Sequence, residues 1–147
     1  MIHRPLQNTT GQLLARTCKL LRIRAHTVLG EVGLYRGQQF VLSALWEREG
    51  ITQSELAEQL HVQPSTITNA LQRMERVGLV ERRHDTEDQR VSRVYLTDAG
   101  RDIREAVEAI WAELEQQAFA GLSPEEIEVF RRLMARVYDN LIHGFVR

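Results

Sequence analysis

Apolar side chains recur every three or four residues over positions 10–32, at Leu13, Leu14, Thr17, Leu20, Leu21, Val28, Leu29 and Val32. That spacing predicts an amphipathic helix, closed by Gly30 and Gly33. Residues 37–48 are apolar nearly all round, through Phe40, Val41, Leu42, Ala44, Leu45 and Trp46, as in a central, buried helix. Gly50 ends it, and Thr52 with Glu55 makes a T-x-x-E capping box that opens a short helix through Leu60. After a three-residue break, Pro64 suits a first helical position, where its missing N–H is not needed. The helix it starts buries Ile67, Ala70, Leu71 and Met74 and stops at Gly78. Two short runs, Leu79–Arg83 and Arg90–Leu96, alternate across the polar stretch His84–Gln89 and predict a β-hairpin, the one credible sheet in the chain. Two long helices follow, from Asp98 to about Ala118 and from Pro124 onward, the second opened by the Ser123–Glu126 capping box.

A capped helix, a tight break, a second helix and a hairpin with a polar tip is the order of a winged helix-turn-helix. What the second helix leaves outside tests that reading. With Ile67, Leu71 and Met74 inward, the outward set is Ser65, Thr66, Thr68, Asn69, Gln72, Arg73 and Arg76. Most of these side chains hydrogen-bond well to base edges or phosphates, and the short ones crowd the N-terminal half that enters a major groove. An ordinary solvated face would carry Glu and Lys, whereas this one has no acid before Glu75. Around the hairpin loop, Arg82, Arg83, Arg90 and Arg93 supply positive charge. Asp88 stands two residues before Arg90, so its carboxylate can hold that guanidinium in one orientation. A generic hairpin turn uses the same residue types, and the residues alone leave both readings open.

Charge changes the picture in one respect. The chain has 147 residues with 19 basic and 20 acidic side chains, a net of −1, which excludes coating of nucleic acid by bulk positive charge. The charges are uneven: +4 over residues 1–50, −1 over 51–96 and −4 over 97–147. No uncharged apolar run approaches the ~20 residues that span a bilayer. MIHRPLQNTT lacks the apolar core of a signal peptide, so a cytoplasmic protein is expected. A single cysteine, Cys18, leaves no internal disulfide framework and no multi-cysteine zinc site. There is no phosphate-cradling glycine loop, no H-E-x-x-H and no G-x-S-x-G, and the five histidines are scattered. No catalytic residue, metal site or cofactor is expected, and the chain does not read as an enzyme.

The segment from Leu56 to Arg101 resembles the DNA-binding region of the MarR family of bacterial and archaeal transcription regulators. Its wing pattern stands here as Asp88-Gln89-Arg90 followed by Leu96-Thr97, with Leu79–Arg82 after Gly78 and Thr97–Arg101 also matching. Total length and helix order agree, so the resemblance spans essentially the whole chain. It implies a mainly α fold with a small β-hairpin wing. In that fold a winged helix-turn-helix lobe, residues 35–97, is flanked by an N-terminal dimerisation helix, 1–34, and C-terminal dimerisation helices, 98–147. It further implies a homodimer on a pseudo-palindromic operator in double-stranded DNA, usually a repressor released by a small aromatic or phenolic effector, an oxidant or another signal. The helix at 64–77 would lie in the major groove, and Arg90, steadied by Asp88, in the minor groove.

Effector pockets of the family lie between the dimerisation helices and the lobe. His26, Trp46 and Trp111 could line one here, but plain core is the favoured reading of each, with the pocket as the lesser one. Some members sense peroxide through a cysteine near the start of the first helix; this chain has Gly11 at that place. Cys18, two turns later, is expected to be a buried structural residue, with thiol sensing aided by Arg16, Lys19 and Arg22 as the lesser reading. Independently of the resemblance, helices of ~20 residues run ~30 Å, longer than a ~60-residue lobe covers, which calls for a second copy. The alternative is a winged-helix module that binds protein rather than DNA.

Overall fold

The structure, a computed structural model, describes residues 8–35 and 37–144. Residues 1–7, on which the expectation of no signal peptide largely rests, lie outside the described residues. The chain divides into two compact units, Met1–Ala112 and Glu113–Arg147.

In the first unit, α1 (Thr10–Glu31) and α2 (Gln38–Glu47) lead into β1 (Ile51–Thr52), α3 (Gln53–Gln59) and α4 (Pro64–Arg76). The hairpin β2 (Val80–His84) and β3 (Ser92–Leu96) follows, then α5 (Asp98–Asp102) and the start of α6 (Arg104–Ala118). Leu42 and Leu45 of α2, Leu56 of α3, Leu71 and Met74 of α4 and Val94 of β3 are fully buried and form the core of the lobe. Each such side chain contributes roughly 1.5–3 kcal/mol by leaving water. The turn between α3 and α4 bends at His61, whose φ of 54° is left-handed. Val62 N–H reaches back to Ala57 O at 3.0 Å and His61 N–H to Glu58 O at 3.2 Å, a Schellman closure. At the end of α4 the same pair of bonds recurs, Leu79 N–H to Met74 O and Gly78 N–H to Glu75 O, and here a glycine supplies the positive φ of 76°.

Several expectations need correction. The sheet has three strands, ordered β1-β3-β2, with Ile51 opposite Val94 and Thr52 opposite Arg93. A two-residue strand leaves no alternation to read, and Thr52 doubles as the cap of α3, its hydroxyl accepting from Glu55 N–H at 3.1 Å. The reciprocal half of that box is replaced by an Arg48–Glu55 ion pair. The helix expected from Asp98 is interrupted at Ile103, between α5 and α6. The helix over 38–47 is not apolar-buried all round: Phe40 is 55% exposed, while the polar Gln38 and Gln39 are buried.

The second unit holds the end of α6 and α7 (Pro124–His143). Ser123 and Glu126 form the expected reciprocal capping box at 3.0–3.1 Å. Phe119 and Phe130 meet edge to face at 5.6 Å. No residue of α7 is buried.

Candidate nucleic-acid interface

The second helix of the helix-turn-helix, α4, begins at Pro64 and turns Ile67, Leu71 and Met74 into the core. That leaves Ser65, Thr66, Asn69, Gln72, Arg73 and Arg76 exposed along its other side. Thr68 departs from the expected outward set. It is half-buried, its hydroxyl donating to Pro64 O at 3.1 Å and accepting from Gln53 Nε2 at 3.3 Å. Gln53 is a residue that sequence reasoning missed. From the first position of α3 it holds Thr68 and also accepts from Arg82 Nη1 at 3.3 Å, joining the outward helix to the hairpin. No periodicity or motif marks a glutamine for such a bridge.

The hairpin arms are paired from Val80–Leu96 to His84–Ser92. Beyond them the loop is a nest of side-chain-to-backbone bonds. Asp85 Oδ2 accepts from Glu87 N–H at 3.2 Å and Asp88 N–H at 3.0 Å. Asp88 Oδ1 then accepts from Arg90 N–H and Nε at 3.0 and 3.1 Å, and Oδ2 from Nη2 at 3.3 Å. The bond from the Arg90 guanidinium is the chief reason the Asp88 carboxyl sits below its usual pKa. The Arg90 side chain is 91% exposed yet held at two points, Nε and Nη2, with its backbone N–H bonded to the same carboxylate, the posture of a cation presented to solvent in one orientation.

The other arginines differ. Arg82 pairs with Glu75 of α4. Arg83 pairs with Glu81 and lies 4.4 Å from the centre of the Tyr95 ring. Arg93 turns away from the loop tip, its Nε to Asp85 Oδ1 at 2.7 Å and its Nη1 to Gly50 O at 2.8 Å. The Arg93 guanidinium is the main cause of a lowered Asp85 pKa.

The base of the hairpin explains the Leu-Thr-x-x-Gly part of the pattern. Thr97 Oγ1 donates to Gly78 O at 2.5 Å and accepts from Gly100 N–H at 3.1 Å, capping α5 while tying it to the end of α4. A Cβ at position 100 would lie 2.2 Å from Leu79 O, so only glycine allows this approach. Glu49, also unforeseen, accepts from Leu96 N–H at 2.8 Å and from Arg101 Nη2 at 2.9 Å.

Apart from this face, the first unit contains a cavity of about 680 Å³ lined by residues of α1 and α2, Leu34, Tyr35, Gly37 and Trp111. His26 and Trp111 are both among its lining residues, and neither is buried. Trp46 is not among the lining residues: its Nε1 donates to Gly100 O at 2.8 Å, which fixes the indole at the hairpin base. Cys18 is exposed and lines the cavity, against the expectation of burial. The wall carries two polar groups that sequence reasoning missed. Gln39 accepts from Trp111 Nε1, and Gln38 Oε1 accepts from Tyr35 N–H at 3.1 Å. Among the described residues no group of three or more His, Cys, Asp or Glu is placed to hold a metal ion.

The family model described as MarR family matches residues 34–92. The organic hydroperoxide resistance transcriptional regulator of Bacillus subtilis (strain 168) is 29% identical over 139 residues, 95% of this chain and 91% of the relative. Transcriptional regulator HosA of Escherichia coli O157:H7 is 35% identical over 106 residues, 72% of this chain and 78% of its own length. Among solved structures, the S. aureus MepR–DNA complex superposes with a TM-score of 0.82 at 27% identity, covering 90% of this chain and 98% of that one. The PcaV regulator of Streptomyces coelicolor, solved with its natural ligand, gives 0.82 at 29% identity, with 95% and 98% covered.

Proposed function

The chain belongs to the MarR family and is a DNA-binding transcription regulator, and from that premise we propose that it works as a homodimeric repressor on a pseudo-palindromic operator. Ser65, Thr66, Asn69 and Gln72 read base edges in the major groove, Arg73 and Arg76 bind flanking phosphates, and Arg90 enters the minor groove. Arg82 and Arg83, paired with Glu75 and Glu81, support the hairpin arms rather than supply free charge to the phosphates. Thr68 serves by fixing α4 against α3 rather than by touching DNA. The observation that carries this reading is an arginine at a loop tip that is almost fully exposed and yet clamped by Asp88. A free, exposed Arg loses up to ~2 kcal/mol of rotamer entropy on binding; one already held has lost part of it.

The dimer reading rests on apolar surface. Leu13, Leu20 and Ile23 of α1, and Phe130, Leu133, Val137 and Leu141 of α7, are each at least 40% exposed in the single chain. Apolar side chains left exposed along each of these helices call for a partner, and a second copy covering the dimerisation helices expected within 1–34 and 98–147 is the simplest. A dimer then sets two α4 helices about one DNA turn, ~34 Å, apart. The cavity against His26 and Trp111 takes the small aromatic or phenolic effector that releases the operator, as the PcaV relative was solved with its own ligand. The relatives are transcription regulators, not enzymes, and we assign no catalysis to the chain. Among the described residues no helix is long and apolar enough to cross a membrane, and we place the protein in the cytoplasm with the chromosome.

The experiment is selection of duplex DNA from a random pool, followed by fluorescence anisotropy on the recovered sequence. Arg90→Ala is expected to weaken that complex about 5- to 150-fold, the range of one specific groove contact. Failure to recover a palindromic consensus removes the operator reading, and an unchanged affinity removes Arg90 from the interface.

A further inference from the structure

We propose that Arg93 and Asp85 are positioning residues, a strut that carries the fixed edge of the lobe out to the loop holding Arg90. This rests on the reading that Arg90 reaches DNA. The strut starts at Gly50, whose N–H donates to Val94 O at 2.8 Å and so pins the Gly50 carbonyl to the edge of β3. Arg93 Nη1 donates to that carbonyl at 2.8 Å, while Nε of the same guanidinium donates to Asp85 Oδ1 at 2.7 Å. A rigid planar fork is what allows one side chain to serve both ends.

The second oxygen of Asp85 continues the line into the loop. Oδ2 accepts from the Glu87 and Asp88 amides, and Asp85 N–H donates to Val91 O at 2.8 Å, closing the loop on itself. Asp88 therefore arrives with its backbone already bonded, and its carboxylate takes Arg90. Exposure supports the division of labour. The side chains of Asp85 and Arg93 are 19% and 33% exposed, against 41% and 91% for Asp88 and Arg90. The inner pair is the more enclosed, as a support should be, and the outer pair faces solvent. The lowered pKa of Asp85, caused first by Arg93, agrees with a persistent bond.

Asp85→Asn is the informative variant. Asparagine keeps an acceptor for the two loop amides but loses the ionic bond to Arg93. It also removes a negative charge from a surface near DNA, so bulk electrostatics predicts tighter binding. The strut predicts the opposite sign: binding about 2- to 12-fold weaker, the range that ordering one long side chain carries. Anisotropy is read on the duplex selected with the wild-type protein, for Asp85→Asn, Arg90→Ala and the double variant, with thermal midpoints measured in parallel. Arg93→Lys, which keeps the charge but not the fork, should behave as Asp85→Asn does. The expected result is that Asp85→Asn weakens binding in the wild-type background and has no weakening effect once Arg90 is Ala. If Arg90→Ala weakens binding while Asp85→Asn leaves it unchanged or tighter, the strut is overturned and the groove contact stands. Equal weakening in both backgrounds makes Asp85 a residue of the fold, which also overturns the strut. No effect of Arg90→Ala defeats the wing reading itself and leaves the strut without a function.

Discussion

Gly100→Ala opposes two effects at one helical position. Alanine is favoured over glycine within a helix by about 0.8–1 kcal/mol, so local propensity predicts a more stable protein. Packing predicts the reverse. The added Cβ would stand 2.2 Å from Leu79 O and 3.2 Å from Leu79 C, both backbone, and 3.1 Å from Leu96 Cδ2. An ordinary C···O approach is about 3.3 Å, so α5 must retreat by about 1 Å. Overpacking of this kind costs about 1–3 kcal/mol. The retreat also stretches the Trp46 Nε1 bond to Gly100 O and the Thr97 cap on Gly100 N–H, 2.8 and 3.1 Å here, worth about 1 kcal/mol each if lost. Set against the propensity gain, the balance with both bonds lost is a loss of about 2–4 kcal/mol. For a chain of 147 residues that lowers the thermal midpoint by about 4–16 °C. The assay is thermal melting by circular dichroism at one fixed chain concentration, since a dimer's midpoint moves with concentration. Ala99→Gly, at the exposed neighbouring position, should cost only its propensity of about 1 kcal/mol. A midpoint for Gly100→Ala equal to or above wild type would refute the packing argument.

Two further outcomes follow from the same structure. Leu133→Asp on α7, where no residue is buried in the single chain, should raise the dimer dissociation constant by about 100-fold or more. Sedimentation across a concentration series reads this, and a wild-type protein that stays monomeric at micromolar concentration would defeat the dimer. The carboxyls of Asp85 and Asp88 are both lowered in the folded protein, first by Arg93 and by Arg90 respectively. A depressed folded pKa stabilises above the unfolded value of ~3.9 and loses that contribution as pH falls through the folded value. The arginine Nε–H resonances of the loop should therefore hold from about pH 8 down to about pH 5 and broaden only on stronger acidification. Their loss already near neutral pH would contradict the carboxylate assignment.

What the sequence made legible is what repeats or what sits at a fixed offset. Helices α1, α4 and α7 follow from their three-to-four spacing, the start of α4 from Pro64 and the start of α7 from Ser123 and Glu126. Asp88 and Arg90 are two residues apart, so their bond is a local prediction, and it is present. The misses are non-local. Arg82, Arg83 and Arg93 read as a supply of charge, yet each is matched by a carboxylate, Glu75, Glu81 and Asp85. Which acid an arginine meets depends on strand register and on the angle between α4 and β2, and neither is written in spacing. Cys18 and Trp46 departed from expectation for different reasons, both non-local. The apolar period on α1 marks Leu29, which is buried, and equally Leu13 and Leu20, which are exposed. Periodicity thus defines a face without saying what covers it. Trp46 has its indole N–H satisfied by a backbone carbonyl 54 residues further along, a partner that no local spacing marks.

The pairing of the arginines reframes the net charge of −1. Arg82 and Arg93 each serve a carboxylate and a second acceptor, Gln53 for one and the Gly50 carbonyl for the other. Surrendering such a bond to a phosphate strands an acid beside the DNA, and an unpaired, half-enclosed charge is costly. These two arginines therefore keep their partners, and the face has little diffuse attraction to offer. What remains outward is Arg90, clamped at the loop tip, with Arg73 and Arg76 exposed on the last turns of α4. A DNA-facing surface with few free cations has little non-specific affinity, which scales with the phosphates neutralised. It keeps the contacts whose strength depends on geometry, because the polar face of α4 and the held Arg90 gain full value only on a duplex that fits both at once. Near-neutral charge and arginines tied into the fold thus favour a reader that discriminates among sequences over one that holds DNA indiscriminately.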